Sequence, residues 1–192
     1  MKHNFGAGPC ILPKDVFAEA SQAVLDFNGT GLSILEISHR SKEFEAVIAE
    51  AESLVRELLE VPAGYSILFL QGGASQQFAM VPYNLLPTYG RAAYLDTGTW
   101  SSKALKEAKN FGAIDVVASS SDRNYTYIPK SYAVPADAAY LHYTSNNTIF
   151  GTEIFDLPQA DVPLVSGMSS DIFSRVVNVA DHGLIYAGTQ KS

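Results

Sequence analysis

The spacing of hydrophobic positions changes along the chain, and the changes separate helices from strands. Val16, Ala20, Val24 and Phe27 recur at roughly helical spacing after Leu12-Pro13, and Asn28-Gly29 closes the pattern, which predicts a first helix. A longer helix is predicted over about residues 41–60. There Phe44, Val47, Ile48, Ala51, Leu54, Val55, Leu58 and Leu59 form a stripe expected to be buried, and Pro62 ends the helix. The run Tyr65-Ser-Ile-Leu-Phe-Leu70 is short and continuously apolar, as in a strand buried on both faces. Gln71-Gly-Gly-Ala-Ser75 then turns into a helix carrying Phe78, Met80 and Val81. Further strands are predicted at 92–96, 114–118, 138–143, 163–166 and 184–187, with helical or loop stretches between most of them. Such alternation, with strands apolar on both faces, predicts an α/β fold: a mainly parallel sheet flanked by helices. No repeat, low-complexity tract or linker interrupts residues 1–192, so a single domain is expected.

Composition narrows the functional classes. The 192 residues are 47% hydrophobic and 17% charged, enough for a real core at the upper size of one domain. A net charge of −7, with 13 scattered basic residues, argues against a nucleic-acid surface. Anionic ligands must then be caught by individual groups rather than by a broad positive field. Cys10 is the only cysteine, which excludes an internal disulfide and fits a reducing, cytoplasmic setting. The first nine residues lack the apolar core of an export signal, and no run is long enough to span a membrane, so neither export nor insertion is expected.

Several segments carry candidate chemistry. Leu184-Ile-Tyr-Ala-Gly-Thr-Gln-Lys191 is a short apolar strand that ends in small residues and presents one lysine. A partly desolvated lysine there could attack a carbonyl; a solvated charge in a polar tail is the plainer alternative. Gly72-Gly73-Ala74-Ser75 follows a predicted strand and opens a helix, where small residues and free N–H groups suit a phosphate, or simply make a tight turn. It has neither the Gly-Lys-Ser/Thr of a nucleotide-binding P-loop nor the third glycine of a dinucleotide fingerprint. Trp100, the only tryptophan, follows a strand end and is either a core or interface residue or a stacking surface for a flat ligand. Asn146-Asn147-Thr148 lies on the same edge, as a turn or as polar ligand groups. Arg40, in Ser38-His39-Arg40-Ser41, could fork onto a carboxylate or serve a structural ion pair. His3, His142 and His182 have no spacing suited to a metal, and no metal site is expected.

Together these motifs resemble one family. Asn4-Phe-Gly-Ala-Gly-Pro9, Glu36-Ile-Ser-His-Arg-Ser41, Gln71-Gly-Gly-Ala-Ser75, Trp100, Asn146-Asn-Thr148, Met168-Ser-Ser-Asp-Ile-Phe-Ser-Arg175 and Tyr186-Ala-Gly-Thr-Gln-Lys191 occur in the order and approximate spacing of phosphoserine aminotransferases. These belong to the fold-type I enzymes that use pyridoxal 5′-phosphate. The resemblance covers the whole chain and about the first half of a typical member. It implies an incomplete large domain of the pyridoxal-phosphate transferase type, with the remainder and the small carboxyl-terminal domain absent. A related enzyme such as a cysteine desulfurase fits the Ser-His-Arg-Ser element less well.

By resemblance, Lys191 is the amine that condenses with the cofactor aldehyde, and Trp100 stacks on the pyridine ring. Ala74 and Ser75 hold the phosphate, helped by Gln190, and Thr148 bonds near the ring hydroxyl. His39 and Arg40 bind a substrate carboxylate or phosphate. Gly167 stands where the family has an aspartate that keeps the pyridine nitrogen protonated, and Asp171 lies four residues on. The implied activity is amino transfer between glutamate and 3-phosphohydroxypyruvate, in serine biosynthesis, by a cytoplasmic homodimer. The alternative is a catalytically silent remnant that binds the cofactor weakly or associates with a full-length partner.

Overall fold

Residues 3–6, 8–87 and 90–191 are described by a computed structural model. Ala7, within the Gly6-Ala7-Gly8 stretch expected to be a loop, and the terminal Ser192 lie outside them. The chain divides into two compact units, Met1–Leu68 and Phe69–Ser192.

The first unit contains the two predicted helices, α1 (Lys14–Leu25) and α2 (Lys42–Leu58). Ser41 caps α2, its hydroxyl accepting from the Phe44 amide at 3.3 Å, which satisfies one of the helix's orphan donors. The apolar stripe of α2 exists, but no residue of either helix is buried, and Leu54 and Leu58 stay 48% and 68% exposed. Periodicity records which face of a helix is apolar; burial needs a second layer over that face, which two helices alone do not provide.

The second unit carries helix α3 (Gly73–Leu85), strand β1 (Arg91–Asp96), helix α4 (Thr99–Ala108) and strands β2 (Ala113–Ser119) and β3 (Ala138–Thr144). A small antiparallel ladder of β4 (Asn146–Asn147) and β5 (Thr152–Glu153) comes next, then β6 (Leu164–Gly167) and β7 (Leu184–Tyr186). Five strands form one sheet in the order β2-β1-β3-β6-β7, and every pairing in it is parallel. These are five of the six strands expected from the apolar runs. The sixth, residues 65–70, joins no ladder, and Leu68, Phe69 and Leu70 are 72%, 48% and 51% exposed. An apolar run becomes a strand only when a neighbouring backbone takes up its N–H and C=O groups, and none of the described strands pairs with it.

The inner strands β1, β3 and β6 are buried on both faces, as in parallel sheets, while the edge strands β2 and β7 are partly exposed. On one face, Ala92 and Tyr94 of β1, Tyr140 of β3, Val165 of β6 and Tyr186 of β7 pack with Phe78 and Val81 of α3 and Ala104, Leu105 and Ala108 of α4. On the other, Ala93, Leu95, Leu141, Tyr143 and Leu164 pack with Ile154. Polar rings run through the first face. The Tyr94 and Tyr140 hydroxyls lie 2.9 Å apart, and the His142 ring stacks on Tyr94 at 4.6 Å.

Burial without a counter-charge pushes His142 down to about 3 from the ordinary 6.5. The unfolded chain therefore takes up a proton that the folded protein refuses. The His142 contribution should be flat above about pH 7 and fall as pH drops from about 6 towards about 4, by about 1.4 kcal/mol per pH unit. Chemical denaturation of the protein and of His142→Asn at several pH values measures that share as the difference between their slopes. Equal slopes would show that His142 is not buried neutral.

Candidate active site

Because the five strands run the same way, their carboxyl ends share one edge, and the sheet order reverses there between β1 and β3. Crevices at such switch points are where open parallel sheets bind ligands. A cavity of about 390 Å³ occupies this edge. Its wall is built from the start of α3 (Gly72 to Ser75), the first turn of α4 (Trp100), the end of β3 (Thr144), β4 and the turn after it (Asn146, Thr148), the end of β6 (Gly167) and the segment from Tyr186 to Lys191.

Each wall has a local cause. Gly72 takes φ +90°, and a Cβ there would overlap the Gln76 side chain, so only glycine lets the chain turn tightly into α3. The first-turn N–H groups of Gly73, Ala74 and Ser75 have no intrahelical partner and form the positive end of the helix dipole. The turn after β1 is held by Asp96. Its Oδ1 accepts from Ser102 at 2.5 Å, and its Oδ2 accepts from Ser119 at 3.1 Å and Tyr125 at 3.2 Å. The turns after β1 and β3 are then tied together, the Asn147 amide donating to the Thr97 hydroxyl at 3.0 Å. They approach so closely that a Cβ on Gly98 would lie 2.6 Å from the Asn147 side chain.

This scaffold brings an amine and an indole to one hydroxyl. Trp100 Nε1 donates to Thr148 Oγ1 at 3.1 Å, and Lys191 Nζ donates to the same oxygen at 3.4 Å. Lys191 is half-buried and lines the cavity. The Trp100 ring also carries the Lys103 ammonium 4.7 Å from its centroid. On the segment leading to Lys191, the Gly188 amide donates to Ser169 Oγ at 2.9 Å, which fixes the last turn against the loop after β6.

Seven of the residues expected to form a site converge on this cavity: Ala74, Ser75, Trp100, Thr148, Gly167, Gln190 and Lys191. His39 and Arg40 lie in the first unit, exposed in the turn before α2. Asp171 does not line the cavity. Its buried carboxylate accepts from Ser145 at 2.5 Å and pairs with Arg175 at 3.4 Å. Among the described residues, no carboxylate lines the cavity, and Lys191 is the only charged side chain that does.

Two contributors to the site, Thr144 and Tyr186, do not stand out in the sequence as site residues. With Gly167 they are register partners across β3, β6 and β7, so the three form one row at the cavity floor. With no side chain at 167, the Tyr186 ring crosses the glycine, and its hydroxyl meets His142 Nε2 at 3.0 Å. A Cβ on Gly167 would lie 2.7 Å from that hydroxyl. Thr144 Oγ1 is buried without a partner. Neither the row nor the bridge has a signature in local spacing, because the bridged residues lie 44 positions apart in sequence.

Residues 2–192 match the aminotransferase class-V family, and the chain belongs to it. Its relatives carry a more particular name. The phosphoserine aminotransferase of Flavobacterium psychrophilum is 60% identical over 192 residues, covering 100% of this chain and 54% of the relative. That of Bacteroides fragilis is 59% identical over 191 residues, covering 100% and 53%. Among solved structures, the phosphoserine aminotransferase of Bacillus circulans subsp. alkalophilus superposes with a TM-score of 0.94 at 49% identity, covering 98% of this chain and 53% of that one. The pyridoxal-phosphate-bound enzyme of Trichomonas vaginalis gives 0.93 at 34% identity, covering 100% and 55%. The chain spans about half the length of the curated relatives it matches. Among the described residues, no helix is long and apolar enough to cross a membrane, and no cluster of three or more metal-ligating side chains occurs.

Gly167→Ala should destabilise the protein by about 1–3 kcal/mol, because the added methyl meets a Tyr186 that is buried and bonded. In a Tyr186→Leu background, whose shorter side chain vacates that space, the same substitution should cost markedly less. A denaturant double-mutant cycle reads the coupling; additive effects would mean that the two side chains do not compete for one space.

Proposed function

We propose that this chain forms the cofactor-binding part of a pyridoxal-phosphate-dependent phosphoserine aminotransferase, with residues 1–192 as the first part of its large domain. The observation that carries the reading is the shared contact at Thr148: an amine and an indole meet one hydroxyl on a cavity whose other wall is a helix amino terminus. The donor set fits the cofactor at three points, with first-turn amides for a phosphate, a flat indole for a ring and a lysine for an aldehyde.

When bound, pyridoxal phosphate supplies the aldehyde and the electron-withdrawing ring on which amino transfer runs. The amides of Ala74 and Ser75, with Gln190, hold the phosphate at the positive end of α3. Trp100 covers one face of the ring and keeps water from it. Thr148 orients the indole and the lysine together and bonds near the ring hydroxyl. Lys191 Nζ is the amine for the aldehyde and the base that moves a proton from the substrate α-carbon to the cofactor's C4′. His39 and Arg40 take a substrate carboxylate or phosphate, Arg40 through its two-pronged guanidinium. The substrates are glutamate and 3-phosphohydroxypyruvate, and the cytoplasmic homodimer implied by the family resemblance belongs to the same reading. No observation favours a catalytically silent remnant over it.

The test is direct. Incubation with pyridoxal phosphate should give a visible absorption band, and borohydride should fix one adduct that mass spectrometry places on Lys191. Lys191→Ala should yield none. Trp100→Ala should weaken cofactor binding about tenfold, the loss of about 1.4 kcal/mol of stacking and contact. Glutamate should then drive amino transfer to 3-phosphohydroxypyruvate. An adduct on any other lysine, or none, would overturn the assignment.

A further inference from the structure

The floor of the cavity bears on the protonation of the cofactor ring, an inference that rests on pyridoxal phosphate being the occupant. In that cofactor the ring nitrogen lies para to the aldehyde. With the aldehyde at Lys191 and the phosphate arm at the start of α3, the nitrogen points away from the lysine, towards the buried lining residues. Those are Phe78, Thr144, Gly167 and Tyr186, of which only Thr144 and Tyr186 carry a polar side-chain group, while the neighbours of Lys191, Thr189 and Gln190, are exposed. No acid reaches this floor among the lining residues, and the nearby Asp171 is committed to Ser145 and Arg175. The space beyond the Gly167 Cα is filled by the Tyr186 hydroxyl.

The geometry points to the Tyr186 hydroxyl as the group that meets the ring nitrogen, donating a hydrogen bond to a nitrogen that stays unprotonated. Two observations support the direction of that donation. His142 Nδ1 is buried without a partner. An orphaned N–H is the rarer and costlier state, so the proton sits on Nε2. Nε2 then donates to the Tyr186 oxygen at 3.0 Å, which leaves the phenol proton free to be given elsewhere. The carbonyl of Gly167 is already held by Ser145 Oγ at 3.1 Å, and the Ser145 amide also donates to it at 3.1 Å. Thr144 is the competing donor in the row, since its hydroxyl is buried and unpartnered.

The experiment uses the full chain loaded with pyridoxal phosphate labelled with ¹⁵N in the ring. The ring-nitrogen resonance should lie in the unprotonated, hydrogen-bonded range across neutral pH. Tyr186→Phe should move it towards the value of a free pyridine nitrogen and raise the dissociation constant about tenfold, the loss of one buried hydrogen bond. Thr144→Val should leave the resonance in place. A protonated nitrogen in the unsubstituted protein overturns the assignment without any variant, and a shift that accompanies Thr144→Val rather than Tyr186→Phe overturns it in favour of the threonine. Absence of a borohydride adduct on Lys191 defeats the proposed function and this inference together, whereas a normal adduct with a protonated nitrogen defeats the inference alone.

Discussion

One hydroxyl joins three separate parts of the chain. Thr148, after β3, receives the indole N–H from the helix after β1 and the ammonium of the lysine after β7. These partners lie 48 and 43 positions from it in sequence, and only a parallel sheet, which delivers every strand end to one edge, places them together. The cavity is therefore a product of the topology: reverse one strand, and its contribution moves to the opposite edge of the sheet.

The floor illustrates a second constraint, the absence of a side chain. In the row Thr144, Gly167, Tyr186, the middle residue contributes nothing beyond its backbone, and an aromatic ring from the edge strand β7 crosses it to reach His142 on β3. There a neutral imidazole meets a phenol, and burial holds both uncharged. Desolvation explains why such a floor can be stable: two hydrogen-bonded neutral groups avoid the cost of burying a charge.

Much of this is readable from residue order. The five paired strands are legible because each carries a short apolar run, unbroken at 92–95 and 138–141 in the inner strands β1 and β3. The lysine, the tryptophan and the glycine turn are legible because each follows a strand or opens a helix. The run at 65–70 has the same pattern and is not a strand, because pairing is a property of two segments and the pattern describes only one. The stripe of α2 is apolar as expected but not buried as expected, for the same reason. The Tyr186–His142 bridge is invisible in sequence: His142 reads as an unsupported histidine, and only the register of β6 against β7 reveals the gap that the tyrosine fills.

The turn after β1 has a further consequence. Thr97, Ser101 and Asn147 are fully buried and joined by hydrogen bonds, with Asp96 anchoring the neighbouring hydroxyls. Loops at a binding site usually surrender rotational freedom when a guest arrives, and that loss is subtracted from affinity. Here much of the ordering has already been done by the fold itself, so a flat guest entering beside Trp100 meets a rim whose entropy was spent before it arrived.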